Sequence, residues 1–256
     1  MSDPILTTTT DGVLTIAFNR PEKKNAITGA MYATIADALE AAREDPAVRV
    51  VLFRSEGDSF SAGNDINDFV AIAMGGGAGG MDVFRVLRVL AHFDKPVVAA
   101  VKGAAVGIGT TLLLHCDLVF VAEDARLSTP FVNLALAPEA ASTVLLPARI
   151  GHARAFSMFA LGEVVSGADA AAWGLVNQAL PSHQVEGAAA RAAAELAKRA
   201  PRSLQLTKQL MRDGAALWAQ MERENQAFSS QLVSPEAREA FTAFAERRPP
   251  DFSKIA

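Results

Sequence analysis

The chain has 256 residues, half of them hydrophobic and a fifth charged, with a mean hydropathy of +0.20. That length fits one large domain, or one domain with an appendage, and the composition excludes wholesale disorder. Lys and Arg total 24 against 28 Asp and Glu, a net charge of −4 that argues against a protein coating nucleic acid, and the single cysteine, Cys116, excludes an intrachain disulfide or a multi-thiolate zinc site.

Met1 to Asp11 carries neither a basic nor an apolar leader segment, and no uncharged apolar run reaches the roughly 18–20 residues of a membrane span. The final Ser253-Lys254-Ile255-Ala256 is not a peroxisomal Ser-Lys-Leu end, so a soluble cytoplasmic protein is expected. Val13 to Phe18 alternates like a strand, and Asn19-Arg20-Pro21 breaks it. Thr28 to Arg43 places Met31, Ile35, Ala38, Leu39 and Ala42 at helical spacing, with Thr28 as N-cap. Val48 to Phe53 reads as a strand covered on both faces. Gly75 to Gly80 punctuates the chain and a helix follows over Met81 to Phe93. Pro96 to Val101 is a second buried strand, Gly107 to His115 a helix, and Leu118 to Ala122 another strand. This alternation predicts parallel βαβ units. The last third changes to four serial helices: Val185 to Arg199, Ser203 to Asp213, Ala215 to Leu232 and Pro235 to Arg247. A βα core followed by a helical tail is expected, the boundary falling near 181–201, and serial helices beyond a core often pack on another subunit.

Three segments could carry chemistry. Phe60-Ser61-Ala62-Gly63-Asn64-Asp65-Ile66 follows a strand and opens a helix-like stretch, where unpaired amides can face an anion; it also reads as an ordinary turn capped by Asp65. Gly103-Ala104-Ala105-Val106-Gly107-Ile108-Gly109-Thr110-Thr111 offers close backbone approach to a ligand, or simple helix–strand packing; Leu112 at the final glycine position rules out a dinucleotide fingerprint. Glu139 is a single carboxylate in an apolar, Ala-rich run. Buried, it would be a base usable near neutral pH; after Pro138 at a helix start, it would be a dipole partner. Gly57-Asp58-Ser59 lacks a nucleophile elbow, and His115-Cys116-Asp117 are sequence neighbours that point apart. His92, His115, His152 and His183 lack ligand spacing, and Lys23-Lys24 is a solvated pair unless a phosphorylated ligand lies nearby.

In combination, Arg20-Pro21-x-x-x-Asn25-Ala26, Phe60-Ser61-Ala62-Gly63-Asn64-Asp65, Gly103-x-Ala105-Val106-Gly107 and Cys116-Asp117 resemble the crotonase superfamily, the enoyl-CoA hydratase/isomerase family, over about residues 5–254. The resemblance implies an α/β fold, a spiral of ββα units over residues 1–195 holding the acyl-CoA site, with a helical oligomerisation region over 196–256. It implies homotrimers or dimers of trimers, no nucleic-acid or membrane partner, no prosthetic group, and coenzyme A entering as part of the substrate thioester. It further implies an oxyanion hole from the backbone N–H groups of Asn64 and Ile108. CoA contacts would fall at Lys23, Ala26, Ala62, Asp65 and Ile66, with Phe252 and Lys254 as candidates reaching a neighbouring subunit. Hydratases of the family carry two glutamates, at the positions of Thr111 and Phe131 here, and both are missing. Pro138-Glu139-Ala140-Ala141-Ser142 instead resembles the segment of peroxisomal-type Δ3,Δ2-enoyl-CoA isomerases whose glutamate is the sole acid/base. The resemblance therefore implies an isomerase with Glu139 shuttling the proton and Phe131 keeping the site dry. A hydratase pairing Glu139 with another polar group, and a non-catalytic acyl-CoA-binding protein of the same fold, are the alternatives.

Overall fold

The computed structural model describes residues 3–68 and 81–255, so the glycine run Gly75 to Gly80 lies outside the described residues. Val13–Phe18, with Leu14 and Ile16 turned inward, forms β2 of a six-stranded sheet. Its parallel neighbours are β3 (Val50–Ser55), β4 (Val97–Val101), β6 (Leu118–Ala122) and β9 (Gln178–Leu180), in the order β2-β3-β4-β6-β9. All five residues of β4 are buried, as a strand covered on both faces must be. The parallel pairing follows the alternation of strands and helices in the sequence.

The strand β1 (Ile5–Thr10), antiparallel to β2, closes the edge of this sheet and had no signal in the apolar pattern. Four successive threonines with exposed side chains carry no alternation, although their β-branched side chains suit a strand. A smaller sheet joins β5 (Ala104–Val106), β7 (Arg126–Ser128) and β8 (Val165–Ser166). These strands are too short for a periodicity to register.

The helix Gly29–Glu44 begins where expected, with Thr28 Oγ1 accepting the Met31 N–H. It packs against Met81–His92. The expected helix over Gly107 to His115 is split: one α-turn, Ile108–Thr111, tightens into a 3₁₀ segment, Leu112–His115, and all eight residues are buried. The tail forms Ser182–Ala197, Pro201–Met211, Gly214–Leu232 and Pro235–Glu246, within a few residues of expectation. Of these, Ser182–Ala197 lies on the sheet against β3, β4 and β6. The last two build a second small core with the segment after β7: Leu232, Ala237 and Phe241 pack with Phe131 and Leu136. The tail thus folds back onto the part of the chain that precedes Glu139. Among the described residues, no helix is long and apolar enough to cross a membrane.

Candidate active site

The turn carrying Asn64 and the turn carrying Ile108 are fastened to each other by main chain. Ser61 N–H donates to Ala104 O at 3.0 Å and Val106 N–H to Ser61 O at 2.9 Å, giving a bridge between Ser61 and Ala105. Gly63 has φ +91°, and a Cβ there would meet Val106 O at 2.8 Å, so only glycine lets the strands approach. Gly107, at φ +55°, then turns the chain into the helix, its N–H held by Ser128 O at 2.9 Å.

Both amides are left aside by this ladder. Ile27 bonds Gly63 O and the Asp65 N–H, at 2.8 and 2.9 Å, which skips the Asn64 amide between them. Ile108 is the first residue of its helix, where an N–H has no intrahelical acceptor.

A second fastening explains the Arg20-to-Ala26 motif. Asn25 is fully buried at φ +55°. Its side chain accepts the Arg20 N–H at 2.8 Å and donates to Glu56 O and Ser59 O at 2.9 and 2.7 Å. Its carbonyl accepts from Ser61 Oγ, which in turn accepts the Gly63 N–H. Arg20 binds Asp65 at 2.6 Å and Ala26 O at 3.1 Å. Burial raises the Asp65 carboxyl, but Arg20 and the Asn67 amide outweigh it and hold the group below its ordinary value. Asp65, expected as a ligand contact, has a structural role here: both its oxygens are engaged within the protein.

These turns open onto a cavity of about 600 Å³. Lys23, Ala26, Ala62, Asp65 and Ile66 line one part of it, and Asn64 and Ile108 lie beside them. Phe131, Leu134 and Leu136 make an apolar wall, and Phe228, Phe244 and Arg248 of the tail complete it. Phe252 does not line this cavity; it is 40% exposed in the short turn Phe252–Lys254, and the Lys254 side chain lies outside the described residues.

Glu139 is not among the lining residues either. It follows Leu136 by three positions and is directed to the helix of Ile108, where Thr111 Oγ1 donates to its Oε1 at 2.5 Å. Thr111, fully buried, is one helical turn beyond the Ile108 amide. Glu139 keeps partial surface access, yet desolvation dominates its surroundings. Burial pushes the carboxyl up to about 8, against the opposing Thr111 hydrogen bond and with a smaller upward push from the Glu224 charge. Glu139 is not a helix dipole partner, since the helix begins only at Ser142. Between Glu139 and that helix, Ala140 and Ala141 both take left-handed backbone, φ +63° and +54°.

Two further side chains meet here that the apolar pattern did not single out. Tyr32, the one tyrosine of the chain, donates to Asn64 Oδ1 at 2.5 Å and is pushed well above its ordinary value by burial, then by the Glu139 charge. It sits on the buried face of Gly29–Glu44, where its hydroxyl was the only sign of a polar task. Glu224 is 5% exposed on Gly214–Leu232, on the same buried stripe as Leu217, Met221 and Leu232. A glutamate on an apolar stripe was the signal that could have found it.

Two amide-bearing turns facing one largely apolar cavity, on this arrangement of sheets, define the crotonase fold. The chain belongs to the enoyl-CoA hydratase/isomerase family, whose sequence model matches residues 8–254. It is 35% identical to enoyl-CoA delta isomerase 2 of Rattus norvegicus, over 97% of this chain and 65% of that protein, so it spans just under two thirds of that relative. It is 32% identical to 2,3-dehydroadipyl-CoA hydratase of Escherichia coli K12, over 94% of each. The crystal structure of an enoyl-CoA hydratase/isomerase from Pseudoalteromonas atlantica T6c, 37% identical, superposes with a TM-score of 0.92 over 98% of this chain and 100% of the other.

Proposed function

We propose that the protein is a Δ3,Δ2-enoyl-CoA isomerase. The observation that carries this reading is Glu139, a desolvated carboxyl hydrogen-bonded one helical turn from the Ile108 amide; the family resemblance adds that Thr111 and Phe131 stand where hydratases carry two glutamates. A thioester α-proton leaves only if a base takes it and the carbonyl oxygen can bear charge. The Asn64 and Ile108 N–H groups serve the oxygen; one such donor is worth on the order of 10²–10³ in rate in other enzymes. Glu139 takes the proton from C2 of a 3-enoyl thioester, the electrons shift through the dienolate, and the same carboxyl returns the proton at C4. No water enters the balance, and the wall of Phe131, Leu134 and Leu136 suits a reaction that excludes it. Coenzyme A arrives and leaves with the substrate.

Hydration would require a second group to activate water. The other buried carboxylate whose charge reaches Glu139 is Glu224, and it is committed to the Ala141 and Thr143 amides. The deciding experiment gives the wild type and Glu139→Gln a 3-enoyl-CoA and, separately, a 2-enoyl-CoA in water. Isomerisation that falls by about 10²–10⁴ in the variant is expected. Faster formation of 3-hydroxyacyl-CoA than of the shifted enoyl product would overturn the reading in favour of a hydratase. Absence of turnover in both forms, with CoA still bound, would leave a non-catalytic acyl-CoA-binding protein.

A further inference from the structure

Glu139 stands at the head of a turn that its own sequence does not favour. Ala140 and Ala141 are consecutive non-glycine residues at positive φ, a conformation that persists only where the surroundings impose it. Two sets of contacts do so. His115 Nε2 bonds Ala140 O at 2.8 Å. Glu224, reaching over from the tail helix, accepts the Ala141 N–H on one oxygen at 2.6 Å and the Thr143 N–H on the other at 3.0 Å. The Thr143 hydroxyl also donates to Glu224 and itself accepts from Gln220 Nε2 at 2.8 Å, so the carboxylate is fixed from the side of its own helix as well.

We propose that Glu224 is a positioning residue for Glu139: its carboxylate holds the strained turn so that the Glu139 carboxyl keeps its place against Thr111. The proposal rests on the reading of Glu139 as the proton shuttle. A carboxylate suits the task because it accepts on both oxygens. Glutamine in its place puts an NH2 donor against either the Ala141 or the Thr143 N–H, so one of the two bonds is lost. The charge matters too: Glu224 when ionised disfavours ionisation of Glu139, while burial pushes Glu224 itself above its ordinary value against the Thr143, Ala141 and Gln220 hydrogen bonds. Among the described residues, Thr111 and Tyr32 face Glu139, Thr143 and Gln220 face Glu224, and the buried Ser142 hydroxyl lies in the turn between them. His115 lies on the Ala140 side, where burial first and then the Arg212, Arg149 and Lys208 charges push its protonation well below the ordinary value, against the hydrogen bond to Ala140 O.

The test uses the full-length protein with Glu224→Gln, Glu224→Asp and Glu139→Gln. Each is assayed for isomerisation of a 3-enoyl-CoA across pH, and the Glu139 carboxyl is followed by carbon-13 NMR, assigned by its loss in Glu139→Gln. In Glu224→Gln we expect kcat to fall by about 10²-fold, as misplacement of a reacting group does, with KM unchanged and the Glu139 titration moved to lower pH. Glu224→Asp keeps the charge and is expected to leave the titration near that of the wild type while kcat still falls. Unchanged kcat and titration in folded Glu224→Gln would overturn the positioning role, as would a uniform loss that tracks thermal stability alone. If Glu139→Gln retains turnover while Glu224→Gln still moves the Glu139 titration, the isomerase reading fails and the structural strap stands.

Discussion

The two turns that present the amides are joined to each other by main chain, whereas the turn that presents the acid is joined to its surroundings by side chains from other elements. Around Asn64 and Ile108 the two turns are joined by backbone bonds between residues 61 and 104–106, made possible by Gly63 and Gly107, while the Asn25 and Ser61 side chains and the Arg20–Asp65 pair brace the Asn64 turn from one side. Around Glu139 the fastenings are Thr111, His115 and Glu224, contributed by two other segments, one more than 80 residues away in sequence. The main-chain joint itself carries no titratable group. A side-chain scaffold can tune the charge of what it holds. The division suits the proposed isomerase, in which one half would bind a developing oxyanion and the other would exchange a proton.

The largest effect is expected where the main-chain half is broken. Gly63→Ala forces a methyl to within 2.8 Å of Val106 O and strains φ +91°, so the Asn64 and Ile108 turns must separate. A kcat loss of about 10²–10³ is expected, the size of losing one oxyanion donor. It should be accompanied by about 1–3 kcal/mol of destabilisation in chemical denaturation. A variant with wild-type kcat would show that the amides do not act as a pair. Asn25→Ala attacks the same half from below. It leaves Glu56 O, Ser59 O and the Arg20 N–H short of partners, and about 1–3 kcal/mol of stability should be lost per buried group left unsatisfied. Near-neutral denaturation data would mean that water replaces the side chain.

The same division decides what could be read from the sequence. Main-chain turns at fixed offsets from strands leave local marks: Gly63, Gly107 and the Arg20-to-Ala26 motif stand next to what they do. The helix at Thr28, the buried strands and the four tail helices follow from periodicity and caps, and the structure keeps them within a few residues. The edge strand Ile5–Thr10 and the two- and three-residue strands of the small sheet had no pattern to betray them. Glu139 could be singled out as a lone carboxylate in apolar surroundings, but not its partners. Thr111 registered as the end of a glycine-rich segment and a missing glutamate, His115 as a histidine without ligand spacing, and Glu224 drew no reading on its helix. Their meeting is a tertiary fact with no local spacing, and Glu224 joins it only because the tail folds back across the site.

The side-chain half is tested by pH. On the proposed mechanism Glu139 accepts the α-proton only when ionised, and its carboxyl is pushed up to about 8. Only about a tenth of it is a base at pH 7 in the free enzyme, so kcat/KM for isomerisation should rise about tenfold from pH 7 to a plateau above 9. A limb near the ordinary carboxylate range would mean that Glu139 is solvated in the working enzyme.

Thr111→Val sharpens the point with the smallest expected change. Valine keeps the volume of the buried threonine and removes the hydroxyl that donates to Glu139 Oε1. That bond favours the ionised carboxyl, so its loss leaves desolvation less opposed and the acid limb of kcat/KM should move to still higher pH. At pH 7 the rate falls severalfold, while at the plateau it approaches that of the wild type, because the two amides are untouched. Thr111→Ser, which restores the donor, should bring the limb back. A limb that stays in place in Thr111→Val would remove Thr111 from the tuning of the acid and leave burial alone to account for it.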